Sequence, residues 1–258
     1  MSVVYMPYHL DDHLTRLDLP MPDGFMEFSA DLPDADVWTR MAALYDAVGD
    51  TTRQAFEADS SVTVVSGDCT LAIGMVAGLQ RAGLDPSVVW VDAHGDLQSL
   101  ETTESGYLGG MALRLLLGYR PDYIADRLAL RPPAPERVLL VEARDLDQAE
   151  ADYLASTGLK RTPLPALSPD DLPPGPLIVN FDLDVVDPEA LPGLRFPAPN
   201  GPDIETVLQA ADTILNTGRV AVLNIACTWD PGPDAPGEPR KQLISSILAS
   251  RTANPYRP

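Results

Sequence analysis

The chain has 258 residues and is 45% hydrophobic, enough for one sizeable core, and α/β folds of this length commonly form a single domain. Against 38 Asp and Glu stand 18 Lys and Arg, for a formal net charge of -20. Such a surface repels phosphate backbones and anionic lipid, no apolar run approaches the ~20 residues of a membrane span, and two cysteines cannot make a disulfide framework. Nucleic-acid and membrane partners are therefore not expected, and a cytoplasmic location is.

The start, MSVVYMPYHLDDH, reads as a strand, VVYM, followed by an acidic loop, and lacks the basic start and long apolar stretch of a secretory signal. His9 and His13 lie in that loop and are expected at the surface, although PYHLDDH could fold over a site. Residues 37–58 have helical spacing. SVTVVSGD is a strand, TLAIGMVAGLQRAG a helix and SVVWVDAHGD a strand. GGMALRLLLG follows as a short helix, RVLLVEARD as a strand and DQAEADYLAST as a helix. PLIVNFDLD is a strand, PDIETVLQAADTILNTG a helix, RVAVLNIACTWD a strand and KQLISSILASRT a closing helix.

The strands are continuous Val, Ile and Leu runs, which points to a parallel sheet buried on both faces by helices. Prolines gather between elements, in RPPAPE, LPPGP and PGPDAPGEP, and mark connections. No repeat or internal boundary interrupts the pattern, so residues 1–258 read as one domain.

Ligands of open α/β sheets bind at the carboxyl ends of the strands. Polar residues end these strands: Asp68 and Cys69; Asp92, His94 and Asp96; Glu142, Asp145 and Asp147; Asp182, Asp184 and Asp187; Cys227 and Asp230. Alternate residues of an extended chain project to one side, so Asp92, His94 and Asp96 are expected to point together, as are Asp182 and Asp184. Converging carboxylates repel one another unless a cation neutralises them. Oxygen-rich ligands with one imidazole suit Mn, Fe or Zn, and two such ions ~3.5–4 Å apart can hold and ionise a bridging water.

In the order SGDCT, VDAHGD and NFDLDVVDP, these motifs resemble the arginase/agmatinase (ureohydrolase) family, whose members carry GGDHS, DAHxD and SxDxDxxDP. The resemblance runs over nearly the whole chain. It implies a three-layer α/β/α sandwich around a mostly parallel eight-stranded sheet, a homo-oligomer, and hydrolysis of guanidino or related C–N bonds at a dinuclear manganese centre. One metal site would use Cys69, Asp92, Asp96 and Asp182. The other would use His94, Asp92, Asp182 and Asp184, with Asp92 and Asp182 bridging and Asp68 supporting the corner. Asp96 and His94 are the catalytic candidates. Asp147, in RDLD, is a candidate for a substrate ammonium group; Ser105, Tyr107 and Cys227 are further substrate-binding candidates.

The sequence departs from the family pattern on the substrate side. Cys69 stands where the family has a ligating histidine, Gly109 replaces a catalytic histidine in the SGYLGG loop, and Cys227 aligns roughly with a glutamate that grips guanidinium. In the family fold the strands that end at Cys69 and Cys227 are neighbours, so the resemblance implies two cysteines within reach of each other. Cys69 as a thiolate ligand would favour zinc or iron over manganese. The alternatives are a first metal position that is weak or empty, and two buried cysteines in a protein that has lost the reaction. The expected function is a metal-dependent hydrolase of a small amidine, ureido, guanidino or amide compound. The alternative is an inactive ureohydrolase-fold binding or regulatory subunit. Neither a GxSxG nucleophile elbow nor a nucleotide-binding glycine motif is present.

Overall fold

In a computed structural model the protein is described over residues 1–14, 19–226 and 237–258. The strands are β1 (Ser2–Met6), β2 (Tyr8–His9), β3 (Asp12–His13), β4 (Met26–Glu27), β5 (Val62–Ser66), β6 (Ser87–His94), β7 (Val138–Asp145), β8 (Lys160–Thr162), β9 (Leu177–Asp182) and β10 (Val220–Ala226). The helices are α1 (Val37–Asp59), α2 (Leu71–Arg81), α3 (Ala112–Leu116), α4 (Ala125–Leu128), α5 (Gln148–Thr157), α6 (Ile204–Leu215) and α7 (Gly237–Ala253). Among the described residues no helix is long and apolar enough to cross a membrane.

Eight strands form one sheet in the order β4-β1-β5-β10-β9-β6-β7-β8, with every registered pair parallel. Successive residues of each central strand enter opposite layers. Val64, Trp90 and Leu140 pack with Leu44 and Tyr45 of α1 and Leu71 and Met75 of α2. Val65, Val91, Phe181 and Ile225 pack with Ile214 of α6 and Leu243 and Ile247 of α7. This two-sided burial is why the strands read as unbroken apolar runs. The arrangement is the expected three-layer α/β/α sandwich.

Helices α1 and α2 touch backbone to backbone. A Cβ on Gly74 would collide with the Tyr45 carbonyl oxygen, and one on Gly78 with that of Gly49. The edge strands β4 and β8 are two and three residues long, too short to carry a period of their own. The hairpin of β2 and β3 is likewise absent from the sequence pattern; it forms a separate two-stranded sheet.

Two strand ends differ from expectation. β9 stops at Asp182 and Leu183–Val185 is a 3-10 turn, so Asp184 is not on a strand. β6 stops at His94, its pairing with β7 shifts register between Asp92 and His94, and Asp96 adopts a left-handed backbone with φ 52. Strand alternation therefore does not aim Asp184 or Asp96. Each carboxylate is turned inward by backbone that has left the sheet.

Candidate metal centre

The corner Ser66–Thr70 joins β5 to α2 beneath the N-terminal hairpin. Any Cβ on Gly67 would strike the Tyr8 carbonyl, so glycine permits this close approach. Asp68 is buried and ties the two layers together. Its Oδ1 accepts the Thr70 N–H at 2.6 Å, and its Oδ2 accepts the Leu10 N–H at 3.2 Å and lies 3.0 Å from His9 Nδ1. Burial opposes ionisation of Asp68, but the His9 contact and the Thr70 N–H outweigh it and hold the carboxyl below its usual range.

Cys69 follows, buried at the mouth of α2. Its Sγ donates to Asp182 Oδ2 at 2.9 Å, accepts from Asn180 Nδ2 at 3.0 Å and lies 3.6 Å from Asp92 Oδ2. Burial pushes the thiol well above its ordinary pKa, and the charges of Asp182, Asp92 and Asp96 push the same way.

Among the described residues, two groups of donor atoms lie within 4.8 Å of one another: Cys69, Asp92 and Asp96, and Asp92, His94 and Asp184. Asp92 belongs to both. His94 Nδ1 faces Asp184 Oδ2 at 3.1 Å and Asp92 Oδ1 at 3.3 Å. Asp182 links the halves, holding the Cys69 thiol with Oδ2 and accepting the Asp184 N–H at 2.9 Å with Oδ1. This arrangement brings together every residue expected to ligate metal.

The electrostatics of the cluster are those of crowded anions. Burial raises the pKa of Asp92 and Asp96, with like charge from Asp182 and Asp92 respectively adding to it. Burial and the Asp184 charge raise Asp182 to about 8, and burial and the Asp92 charge raise Asp184 to about 6. Burial works against charge on His94, but hydrogen bonds and charges from Asp184 and Asp92 win and raise it to about 12. Protons thus do the neutralising here that a cation would otherwise do. A donor set of buried carboxylates, one imidazole and one thiol fits one or two divalent transition ions.

The cluster forms the floor of a cavity of about 250 Å³. Asp147, Ser105 and Tyr107 line it, as do Gly109, Gln98, Glu104 and Phe196. Asp147 is exposed at the N-cap of α5; its side chain accepts from Gln98 Nε2, and its N–H donates to Glu150 Oε2 at 3.0 Å. Ser105 Oγ accepts the Tyr107 N–H at 3.2 Å. Burial raises the Tyr107 phenol far above its usual pKa, helped by the charges of Asp68 and Asp96.

Not every acidic strand end reaches the cavity. Glu142 Oε2 accepts the Leu164 N–H at 2.8 Å, and Asp187 accepts the N–H groups of Glu189 and Gly201 at 2.9 and 2.8 Å. Both carboxylates brace loops. Cys227 and Asp230 lie outside the described residues; β5 and β10 are neighbours, with Ala226 opposite Ser66.

His9 is not at the surface as expected. It is buried, because the β2–β3 hairpin lies over the SGDCT corner, whereas His13 is exposed. Three further supports of the centre are not conspicuous in the sequence. Asn224 Nδ2 donates to Asn180 Oδ1 at 2.8 Å, and Ser66 Oγ to Asn224 Oδ1 at 2.8 Å, so a polar chain crosses β9, β10 and β5 and ends on the Cys69 sulfur. Its signal was a single Asn inside each of two otherwise apolar runs, LIVNFD and VAVLNIA. Arg144 donates to the carbonyls of Val185, Ala198 and Pro199 at 2.9, 2.7 and 3.1 Å and so clips down the loop that carries Asp184. Glu150, buried on α5, accepts the Leu97 N–H at 2.9 Å and braces the backbone beside Asp96.

The arginase of Eremothecium gossypii is 28% identical over 196 residues, which are 69% of this chain and 49% of that protein. The arginase of Bacillus subtilis is 33% identical over 155 residues, 54% of this chain and 51% of that one. The chain spans about half the length of these curated relatives. Among solved structures, Entamoeba histolytica arginase in complex with L-ornithine superposes with a TM-score of 0.78 at 16% identity, over 96% of this chain and 97% of that one. That likeness is one of fold. A profile of the arginase family matches residues 18–250, and with the fold and the motif order in agreement, the chain belongs to the arginase family.

Proposed function

We propose that the protein is a metal-dependent hydrolase of the ureohydrolase type, cleaving a C–N bond of a small amidine, ureido, guanidino or amide compound. The observation that carries this reading is the pair of donor groups sharing Asp92 on the floor of a cavity. Cys69, Asp92, Asp96 and Asp182 would hold one cation, and His94, Asp92, Asp182 and Asp184 the other. Such a pair supplies a water ionised near neutral pH and a Lewis acid for the substrate. Manganese suits the oxygen-rich half, and zinc or iron the half that includes the Cys69 thiolate.

The chain's own groups divide the remaining work. Asp96 would accept a hydrogen bond from the attacking water. Asp147, exposed where it lines the cavity, suits a substrate ammonium group, and Ser105 and Tyr107 line the same cavity. Guanidinium needs a carboxylate for a bidentate grip, and Cys227 aligns where the family supplies one. Arginine and agmatine are therefore expected to be poor substrates. The reading takes residues 1–258 as one domain, which the continuous sheet supports, in a cytoplasmic homo-oligomer. A net charge of -20 supports a small-molecule partner over nucleic acid or a membrane.

The test supplies Mn, Zn and Fe separately to the purified protein and measures urea or ammonia release. The panel runs from methylguanidine, N-methylurea, acetamidine and acetamide to their amine- and carboxylate-bearing homologues. Release that depends on bound metal supports the reading. Stoichiometric metal with no release from any compound overturns it in favour of a binding or regulatory subunit.

A further inference from the structure

Three side chains outside the donor groups are joined beside the cavity, with Asp68 and Tyr107 lining it and His9 between them. Asp68 Oδ2 lies 3.0 Å from His9 Nδ1, and His9 Nε2 is hydrogen-bonded to the Tyr107 hydroxyl at 3.3 Å. The His9 and Tyr107 rings stack, with centroids 5.8 Å apart and an interplanar angle of 13°. The Phe196 ring packs against the phenol with centroids 4.8 Å apart. Asp68 and His9 are both buried, and Tyr107 borders the cavity above the donor cluster.

Gly109 shows what this arrangement displaces. A Cβ built there would collide with the Cζ and the hydroxyl oxygen of Tyr107. The space into which a side chain at position 109 would grow is filled by the phenol. Glycine at 109 and tyrosine at 107 are thus one device: the first leaves room for the second to lay its hydroxyl over the cavity. A buried histidine fixed by a buried carboxylate is more than packing the phenol requires. It holds the hydroxyl at one point, as a proton donor must be held.

We propose that Tyr107 is the catalytic residue that protonates the leaving nitrogen, and that His9, oriented by Asp68, is its positioning residue. This rests on the hydrolase reading above. The water oxygen bonds to the sp² carbon of the substrate and the water gives up one proton. The C–N bond then breaks with its electron pair staying on nitrogen, and that nitrogen takes the Tyr107 O–H proton, a step that requires His9 to direct Nδ1–H at Asp68 and Nε2–H at the phenol oxygen, leaving the phenol O–H for the substrate. The phenolate oxygen is reset by the proton that the water gave up. One water is consumed and no other co-reactant is needed.

The experiment compares wild type, Tyr107→Phe and His9→Gln, each loaded with metal, using the panel compound that wild type turns over fastest. Bound metal and melting temperature are recorded for each. The expected result for Tyr107→Phe is kcat lowered about 100-fold, with KM and metal content unchanged. His9→Gln, which keeps a hydrogen-bonding group beside the phenol, is expected to lose about tenfold in kcat at an unchanged KM. A Tyr107→Phe protein within about twofold of wild type overturns the inference and leaves the hydrolase reading standing. So does one that loses metal along with activity, because the residue is then structural. A wild type that turns over none of the panel overturns both.

Discussion

The Sγ of Cys69 and the Oδ2 of Asp182 meet at 2.9 Å across the end of strand β10, thiol to carboxylate. The proton between them is what makes the contact favourable. A thiolate facing that carboxylate, with Asp92 at 3.6 Å, is stable only with a cation beside it. The sulfur is therefore the point at which binding of a cation and loss of the thiol proton would be coupled.

Replacing this thiol tests the first half of the centre. Cys69→Ala is expected to lower bound metal from two equivalents to one, read by elemental analysis of protein purified without added metal. Cys69→His is expected to restore the second equivalent and to move its preference from zinc towards manganese, by at least about tenfold in a competition titration. Two equivalents retained in Cys69→Ala would remove the sulfur from the centre.

Metal removal should make stability depend on pH with a definite sign. In the fold Asp182 and Asp184 keep their protons up to about 8 and about 6, against 3.8 for an ordinary aspartate. The fold thus binds more protons than the unfolded chain over that interval, and stability falls as pH rises through it. His94, raised to about 12, continues the same trend above 6.5. Chelator-treated protein is expected to melt at a lower temperature at pH 8 than at pH 5. A loss of about 1 kcal/mol from each aspartate corresponds to roughly 4–8 °C at this size. Excess divalent metal should abolish the difference at pH 8. A chelated protein more stable at pH 8 than at pH 5 would contradict the proton-for-cation exchange.

Arg144 is expected to matter to the centre without touching its donor atoms; it meets Asp184 only at the backbone carbonyl, at 3.4 Å. Its guanidinium satisfies the carbonyls of Val185, Ala198 and Pro199 around the Asp184 loop, and Gly201 packs against it so closely that a Cβ would collide. Arg144→Met leaves those carbonyls without their donor and should cost about 2–3 kcal/mol in urea unfolding. Metal affinity should fall about tenfold or more, because Asp184 loses its clamp. Unchanged affinity would show that the 3-10 turn holds itself.

Gly78 offers a test of the scaffold alone. Glycine to alanine inside a helix ordinarily stabilises by up to about 1 kcal/mol. Here the added Cβ meets the Gly49 carbonyl across the α1–α2 contact. Gly78→Ala is therefore expected to destabilise by a net ~1–2 kcal/mol in chemical unfolding, with metal content unchanged. A stabilised variant would mean that the two helices can separate at little cost.

The chain by itself determined the layered architecture and the donor set. Buried parallel strands must be apolar on both faces, so β5, β6, β7, β9 and β10 stand out in the sequence, and the acidic residues that end them are costly to bury without a cation. The edge strands β4 and β8 were not legible, because two or three residues carry no period. What only the tertiary structure decided is direction. Asp96 and Asp184 enter the centre because their backbone leaves the strand, through a left-handed residue and a 3-10 turn. His9, set among acidic residues, reads as a surface histidine. It is buried because a short hairpin folds over a glycine corner that admits its backbone, placing it between Asp68 and Tyr107. Those three residues are 9, 68 and 107 in the chain and touch only in the fold. Contacts between groups so far apart depend on how the layers close, which no local pattern of residues encodes.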